Sequence, residues 1–119
     1  MVRTVVIVDD HDGFRAQVAQ MLEAAGYEVV GACADGRSAL VAISTLGPDV
    51  VLLDVQLPDT DGFRLITELE VGLGGPTIVL ISSREAADYG NRVGRSGAAG
   101  FITKAELSAQ SLAEVVGRQ

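Results

Sequence analysis

The chain has 119 residues, which is the length of one domain. Its formal net charge of −7 argues against direct binding to nucleic acid, because phosphate contacts require clustered lysines and arginines. A single cysteine, Cys33, excludes a disulfide within the chain. The amino terminus lacks a signal-peptide pattern, and no apolar run approaches the ~18 residues that cross a membrane, so we predict a cytoplasmic protein with no membrane contact.

Five short apolar segments alternate with segments of helical period. The predicted strands lie at residues 4–8, 28–33, 50–53, 77–81 and 100–103. Because these apolar runs are unbroken rather than alternating with polar residues, they are typical of strands covered on both faces, hence of a parallel sheet with helical crossovers. Five such strand–helix units predict an α/β fold with a doubly wound parallel sheet.

The helical segments between the strands are read from their apolar spacing. The residues on these apolar sides are Phe14, Val18, Met21, Leu22 and Ala25, then Ala39, Ala42, Ile43 and Leu46, then Leu65, Ile66 and Leu69, and finally Ala109, Leu112, Ala113 and Val116. Gly26 ends the first helix, and residues 72–76 are predicted to form a turn. The fourth helix, about residues 85–96, is the least well specified, because Gly90 and Gly94 each cost about 1 kcal/mol relative to alanine.

Four of the strands stop at a reactive polar residue. Asp9 and Asp10 follow the first strand, Asp54 the third, Ser82 the fourth and Lys104 the fifth. In an open parallel sheet, ligands bind just outside the carboxyl ends of the strands. Two carboxylates about 4 Å apart repel each other by roughly 4 kcal/mol at an effective dielectric near 20, so three would gather only with cations to offset them. The set suits a divalent cation and a phosphoryl group.

Several short motifs at these strand ends resemble one family. They are Val8-Asp9-Asp10, residues 53–58, Asp61-Gly62, residues 81–83 and residues 97–104. Each is weak alone, but in this order they resemble the receiver domain of bacterial two-component response regulators over residues 1–119. Residues 8–11 and 97–107 are most similar to receivers that precede a LuxR/NarL-type helix-turn-helix. The resemblance implies a CheY-like, flavodoxin-like sheet of five parallel strands in the order 2-1-3-4-5.

The resemblance also implies a role for each acidic residue. Asp54 would be the phosphoacceptor, a carboxylate nucleophile that attacks a phosphohistidine or a small phosphodonor. Asp9 and Asp10 would hold Mg²⁺, directly or through water, together with Asp54 and the backbone carbonyl of Gln56. Mg²⁺ prefers oxygen ligands and keeps several waters, which suits a few carboxylates and a phosphoryl group.

The remaining implied roles concern the switch. Lys104 would pair with the phosphoryl oxygens and with Asp54, and the Ser82 hydroxyl would donate a hydrogen bond to the phosphoryl group. Phe101 would then turn inward, changing the face built by the fourth helix, fifth strand and fifth helix. Such a chain is a phosphoacceptor switch that assists its own phosphorylation and dephosphorylation, not an enzyme. Its implied partners are a sensor histidine kinase or phosphotransfer protein and a downstream effector protein or fused effector domain.

Three alternatives stay open at this point. The chain could be the N-terminal receiver of a DNA-binding transcription regulator whose helix-turn-helix is absent here, and phosphorylation could drive formation of a homodimer. Haloacid-dehalogenase-like phosphatases also use an aspartyl phosphate, but their acidic pair comes last rather than first. A flavodoxin-like FMN protein is disfavoured, because the acidic residues after the first strand would repel the FMN phosphate. His11 is interpreted as a surface residue, and no role is assigned to Tyr27 or Tyr89.

Overall fold

The computed structural model describes residues 2–69 and 75–117, so most of the turn predicted at residues 72–76 lies outside the described residues. The strands are β1 (Thr4–Val8), β2 (Glu28–Cys33), β3 (Val50–Asp54), β4 (Thr77–Ser82) and β5 (Gly100–Thr103). The α-helices are α1 (Asp12–Ala24), α2 (Gly36–Leu46), α3 (Gly62–Leu69), α4 (Arg92–Arg95) and α5 (Ala109–Val116). Two 3₁₀ turns occupy Ala86–Tyr89 and Lys104–Glu106.

The five strands form one parallel sheet in the order β2-β1-β3-β4-β5, which confirms the predicted fold class. The register sets Val8 beside Leu53, Asp54 beside Ile81 and Ser82 beside Thr103. The strand ends that carry the predicted site residues therefore meet at one edge of the sheet. β1 and β3 are neighbours in the sheet, so Asp9, directly after β1, and Asp54, the last residue of β3, lie at the ends of adjacent strands.

The apolar core lies in two layers, one on each face of the sheet. On one face, β1 and β3 side chains pack with Val18 and Leu22 of α1 and Leu112 of α5. On the other face they pack with Ala39 of α2 and Leu65 of α3. Burial on both faces explains the unbroken apolar sequence of β1, β3 and β4. Among the described residues, no helix combines the length and the apolar character needed to cross a membrane.

Three residues assigned to apolar helix faces are exposed, namely Ala25, Leu46 and Ala113. Ala25 follows the end of α1 and is exposed, so its assignment to the buried face was wrong. Leu46 is also exposed, although its Cδ1 atom would lie 3.2 Å from a Cβ added at Gly31 of β2. Leu46 thus covers the edge strand rather than the interior.

The predicted fourth helix is not continuous. Residues 85–96 instead contain the 3₁₀ turn Ala86–Tyr89 and the four-residue helix α4, and neither piece has a buried residue. Gly90 separates them with φ 60° and ψ −131°, a conformation that interrupts any helix and that glycine adopts without steric cost. The prediction of one helix here was wrong, because the backbone at Gly90 is not helical and divides the segment in two.

Candidate functional site

The structure brings Asp9, Asp54 and Lys104 together at the carboxyl edge of the sheet. The Lys104 Nζ atom lies 2.6 Å from Asp9 Oδ2 and 3.0 Å from Asp54 Oδ2. Asp9 is fully buried and Asp54 is 5% exposed. One ammonium group from the segment after β5 therefore lies beside two buried carboxylates, at the ends of β1 and β3, and offsets one of their two negative charges.

Burial and neighbouring charges act in opposite directions on the pKa values of Asp54 and Lys104. Burial raises the pKa of Asp54 from 3.8 to about 6, although hydrogen bonds from the Lys104 ammonium and the Gln56 backbone N–H oppose the rise. Burial would lower the pKa of Lys104, but the carboxylates of Asp9 and Asp54 outweigh it and the net pKa is raised. Lys104 is therefore a fixed positive charge, while Asp54 is a carboxylate that titrates close to neutral pH.

Asp9 is held rigidly by its surroundings. Its Oδ1 atom accepts a 2.8 Å hydrogen bond from the backbone N–H of His11, and its own N–H donates to the Cys33 carbonyl at 2.9 Å. The Arg15 guanidinium donates to the Asp9 carbonyl oxygen. The buried Oδ2 atom accepts no hydrogen bond of good geometry from the described residues, and its close neighbour is the Lys104 ammonium. A cation bound at Asp9 would therefore share this oxygen with the Lys104 ammonium.

The donor set around Asp9 suits a hard divalent ion. Asp9, Asp10 and His11 offer potential ligand atoms that all lie within 4.8 Å of one another. The Asp10 side chain is 44% exposed, and the His11 Nδ1 atom lies 3.5 Å from Asp10 Oδ1. Carboxylate oxygens, one of them buried without a hydrogen bond, are ligands that Mg²⁺ accepts while it keeps its waters. Asp54 is not part of this group and is linked to Asp9 through Lys104.

His11 is exposed, which confirms its interpretation as a surface residue, and it also lies beside the site. It is the residue before the first turn of α1, and its side chain is 76% exposed. Its Nδ1 atom lies 3.7 Å from Asp9 Oδ1. Its place in the sequence, directly after Asp9 and Asp10, already indicated that His11 lies near these carboxylates.

The loop between β3 and α3 is fixed to the start of α2. Both oxygens of the Asp59 carboxylate accept backbone hydrogen bonds, from Gly36 at 2.8 Å and from Arg37 at 3.0 Å. A Cβ at Gly36 would clash with the Thr60 Cγ2 methyl group, so this close approach favours glycine. Asp59 thus caps α2 from a different element, which holds the loop that carries Gln56.

Ser82 is buried, but its hydroxyl is not directed at the carboxylates. Its Oγ atom lies 2.6 Å from the Tyr89 hydroxyl and accepts a 3.0 Å hydrogen bond from the Arg84 N–H. Among the described residues it makes no hydrogen bond to Asp54 or Lys104. Phe101 is half-buried, with its ring centroid 6.0 Å from that of Tyr89.

Two aromatic residues at the site were missed by the sequence analysis. Tyr89 contacts Ser82, and the Lys104 Nζ atom lies 4.7 Å from the ring centroid of Phe14, a cation–π contact. Phe14 was predicted only as part of an apolar helix face. Neither contact has a local sequence signal. Phe14 and Lys104 are distant along the chain, and Tyr89 lies in an irregular segment.

A parallel 2-1-3-4-5 sheet with buried carboxylates and a lysine at its carboxyl edge has the architecture of a receiver domain. The model of the response regulator receiver domain family matches residues 5–116, and the chain belongs to this family. The predicted resemblance is therefore confirmed. Receiver domains are signalling switches rather than enzymes that turn over a substrate, and they typically bind Mg²⁺.

Two relatives of the chain are described as transcription regulators. The chain is 36% identical over 107 residues to the transcription regulator BvgA of Bordetella pertussis, covering 89% of this chain and 51% of that protein. It is 30% identical over 101 residues to the DNA-binding transcriptional activator EvgA of Escherichia coli K12, covering 85% of this chain and 50% of that protein. The chain thus spans about half the length of these relatives.

Solved structures agree with this family. The signal receiver domain of the response regulator NarL from Mycobacterium tuberculosis superposes with a TM-score of 0.86 at 29% identity, covering 99% of this chain and 98% of that chain. The chemotaxis response regulator CheY4 of Vibrio cholerae gives a TM-score of 0.83 at 27% identity with the same coverage of both chains. The chain is therefore a receiver domain of a two-component response regulator, homologous to LuxR/NarL-type regulators.

Proposed function

We propose that this chain is a Mg²⁺-dependent switch that accepts a phosphoryl group on Asp54 from a sensor histidine kinase or phosphotransfer protein. The observation that carries the proposal is the buried trio in which the Lys104 ammonium lies 3.0 Å from Asp54 Oδ2 and 2.6 Å from Asp9 Oδ2. A nucleophilic carboxylate beside a fixed cation is what phosphoryl transfer requires, since positioning and charge neutralisation supply most of the catalysis.

The transfer step is a displacement at phosphorus. An oxygen of the Asp54 carboxylate attacks the phosphorus of a phosphohistidine, the P–N bond breaks with its electrons on the imidazole nitrogen, and an acyl phosphate forms. With a pKa of about 6, Asp54 is mostly ionised at pH 7 and thus nucleophilic. Lys104 then pairs with the phosphoryl oxygens, whose charge replaces that of the carboxylate.

Asp9, Asp10, Asp54 and the backbone carbonyl of Gln56 would hold Mg²⁺. The buried Asp9 Oδ2 atom without a hydrogen bond supports this assignment, and so does the fixed loop that carries Gln56. When bound, Mg²⁺ supplies positive charge that offsets the carboxylates and the phosphoryl oxygens. Asp9, Asp10 and the Gln56 carbonyl would thereby help to orient the phosphoryl group that Asp54 attacks.

The output of the switch is a change of surface. Ser82 donates a hydrogen bond to the phosphoryl group, Phe101 turns inward, and the face built from residues 86–95, β5 and α5 changes shape. Moving such an equilibrium from about 1:99 to 99:1 requires roughly 5.5 kcal/mol of differential stabilisation. Charge-assisted bonds from Ser82 and Lys104 to the phosphoryl group contribute toward this difference.

A second candidate places the same switch inside a longer regulator. EvgA is described as a DNA-binding transcriptional activator, and this chain spans half its length. In that arrangement the changed face acts on a fused effector domain, with or without a phosphorylation-dependent homodimer, and the protein works in the cytoplasm. Sequencing the DNA that encodes the chain would distinguish a stand-alone receiver from this arrangement. Membership of the receiver family argues against the haloacid-dehalogenase alternative.

The test is intact mass after incubation with acetyl phosphate and Mg²⁺. We expect a gain of one phosphoryl group per chain that disappears with a chelator and in Asp54→Asn. Asp49→Asn is the matched control, because Asp49 is exposed at the opposite end of β3 and should leave the gain unchanged. Stoichiometric phosphorylation of Asp54→Asn would show that another residue is the acceptor and would refute the proposal.

A further inference from the structure

Tyr89 occupies a defined position between the core and Ser82. Its ring lies edge-to-face with Phe63 of α3, with centroids 5.6 Å apart, and 6.0 Å from the ring of Phe101 on β5. Its hydroxyl lies 2.6 Å from the buried Ser82 Oγ atom. Aromatic packing on two sides therefore aims the hydroxyl at Ser82, although Tyr89 belongs to a 3₁₀ turn rather than a long helix.

The Ser82 hydroxyl has a limited number of partners. A serine hydroxyl has one proton and two acceptor lone pairs. The Arg84 N–H donates to Ser82 Oγ at 3.0 Å, and the remaining short contact is with Tyr89. Within residues 2–69 and 75–117 there is no hydrogen bond from Ser82 to Asp54 or Lys104. Either hydroxyl can donate in the contact with Tyr89, and in both cases the contact holds Ser82 Oγ at Tyr89 rather than at Asp54.

We propose that Tyr89 is a positioning residue that acts through Ser82. It holds the Ser82 hydroxyl away from Asp54 in the unphosphorylated chain, and a phosphoryl group on Asp54 must take that hydroxyl from Tyr89. The inference rests on the proposed phosphoacceptor function of Asp54. Tyr89 would thus be a second aromatic residue in the conformational switch, and unlike Phe101 it has a polar atom that can bond to Ser82.

The location of Tyr89 gives this exchange a structural consequence. Tyr89 ends the turn Ala86–Tyr89 and is followed directly by Gly90, whose positive φ separates the turn from α4. Release of the Tyr89 hydroxyl removes a polar link from this segment to β4. The segment has no fully buried residue, and its other contacts are the packing of Tyr89 and Val93 against the core and the Arg92 guanidinium over the Phe63 ring.

The first test is the initial rate of phosphorylation by acetyl phosphate with Mg²⁺, followed by intact mass. Tyr89→Phe keeps the ring and removes the hydroxyl, and we expect it to accept phosphate about three- to tenfold faster, the effect of releasing one hydrogen bond. Tyr27→Phe is the matched control, because Tyr27 lies before β2 and should not change the rate. In a Ser82→Ala background, Tyr89→Phe should have no further effect.

The second test is intrinsic fluorescence. The chain has two tyrosines and no tryptophan, so Tyr27→Phe leaves Tyr89 as the single tyrosine emitter. We expect its emission to change when acetyl phosphate and Mg²⁺ are added. The same addition to Tyr27→Phe/Asp54→Asn should leave the emission unchanged.

The outcomes separate this inference from the proposed function. If wild-type chain accepts phosphate but Tyr89→Phe is no faster, or is slower, Tyr89 does not restrain Ser82 and the inference is overturned. A faster Tyr89→Phe whose advantage persists in Ser82→Ala would also overturn it, because the effect would not act through Ser82. Wild-type chain that accepts no phosphoryl group under any condition would overturn both the proposed function and the inference.

Discussion

Asp54 and Lys104 show how burial decides the chemistry of single residues. The Asp54 carboxylate is 5% exposed, and the cost of burying its charge outweighs the favourable contact with Lys104, so its pKa rises to about 6. Lys104 faces two carboxylates and keeps its proton. The Lys104 ammonium offsets part of the cost of burying the two carboxylates, and its loss would leave both of them without a cation.

Removal of the Lys104 charge should therefore be costly. Lys104→Met keeps most of the unbranched apolar side chain but leaves Asp9 and Asp54 buried without a cation. We expect it to lower the free energy of unfolding by about 3 kcal/mol, measured by urea denaturation at pH 7 in a chelator. Arg95→Met, at an exposed position of α4, is the control and should change stability by less than about 0.5 kcal/mol. A loss below about 1 kcal/mol for Lys104→Met would contradict this view of the trio.

Asp54 should make stability depend on pH in the metal-free chain. Because its folded pKa of about 6 exceeds the ordinary 3.8, the folded chain binds its proton more tightly than the unfolded chain does. Stability should therefore fall as pH rises from about 4 to about 6, and the loss should then stay constant. Asp54→Asn, which cannot ionise, should match wild type near pH 4 and exceed it at pH 7 by on the order of 1–3 kcal/mol.

Urea denaturation in a chelator at pH 4, 5, 6 and 7 measures this difference. Asp49→Asn, at an exposed position, serves as the control that changes the net charge by the same amount. A difference between Asp54→Asn and wild type that does not grow between pH 4 and pH 7 would mean that Asp54 has no raised pKa.

At the scale of elements, the packing of β3 against the start of α3 positions Asp54. Gly62 is the first residue of α3, and a Cβ there would lie 2.9 Å from the Asp54 carbonyl oxygen and 3.1 Å from Val55 Cα. Both contacts are with backbone, which cannot move aside as a flexible side chain can. The close approach of helix and strand therefore depends on glycine at this position.

Gly62→Ala should consequently move the strand end or the helix. We expect a loss of about 1–3 kcal/mol in the free energy of unfolding and slower phosphorylation of Asp54 by acetyl phosphate. Gly13→Ala in α1 is the matched control, since a Cβ there meets no atom within 4 Å and alanine favours the helix. Equal stability of Gly62→Ala and Gly13→Ala would refute the argument from close approach.

At the scale of the whole molecule, charge and metal binding are linked. The chain carries a net charge of −7, and Asp9, Asp10 and Asp54 lie at or beside one buried edge. A ligand that binds only the folded state stabilises it by RT ln(1 + [L]/Kd), about 1.4 kcal/mol at ten times Kd. Mg²⁺ at the proposed site should therefore raise the melting temperature.

We expect Mg²⁺ to raise the melting temperature of wild type and to have little effect on Asp9→Asn. Sodium chloride at matched ionic strength controls for general screening of the negative charge. An equal rise in wild type and Asp9→Asn, or an equal rise with sodium chloride, would mean that the effect of Mg²⁺ does not come from this site.

Much of the architecture was predictable because it follows from local pattern. The unbroken apolar runs identified all five strands, and β2 matches its predicted bounds of 28–33. Burial on both faces of a parallel sheet imposes such runs, so strand position and fold class can be read directly. The segment 85–96 was not predictable in the same way, because it buries no residue and its apolar period carries little information.

For the site, the sequence determined which residues reach the carboxyl edge of the sheet, since Asp54 and Ser82 end β3 and β4 and Asp9 and Lys104 directly follow β1 and β5. Only the tertiary structure decided how they pair. Lys104 bridges Asp9 and Asp54, whereas Ser82 contacts Tyr89. Strand order and side-chain packing between distant segments fix these contacts, and burial then sets the charges. None of these is encoded in the local pattern of residues.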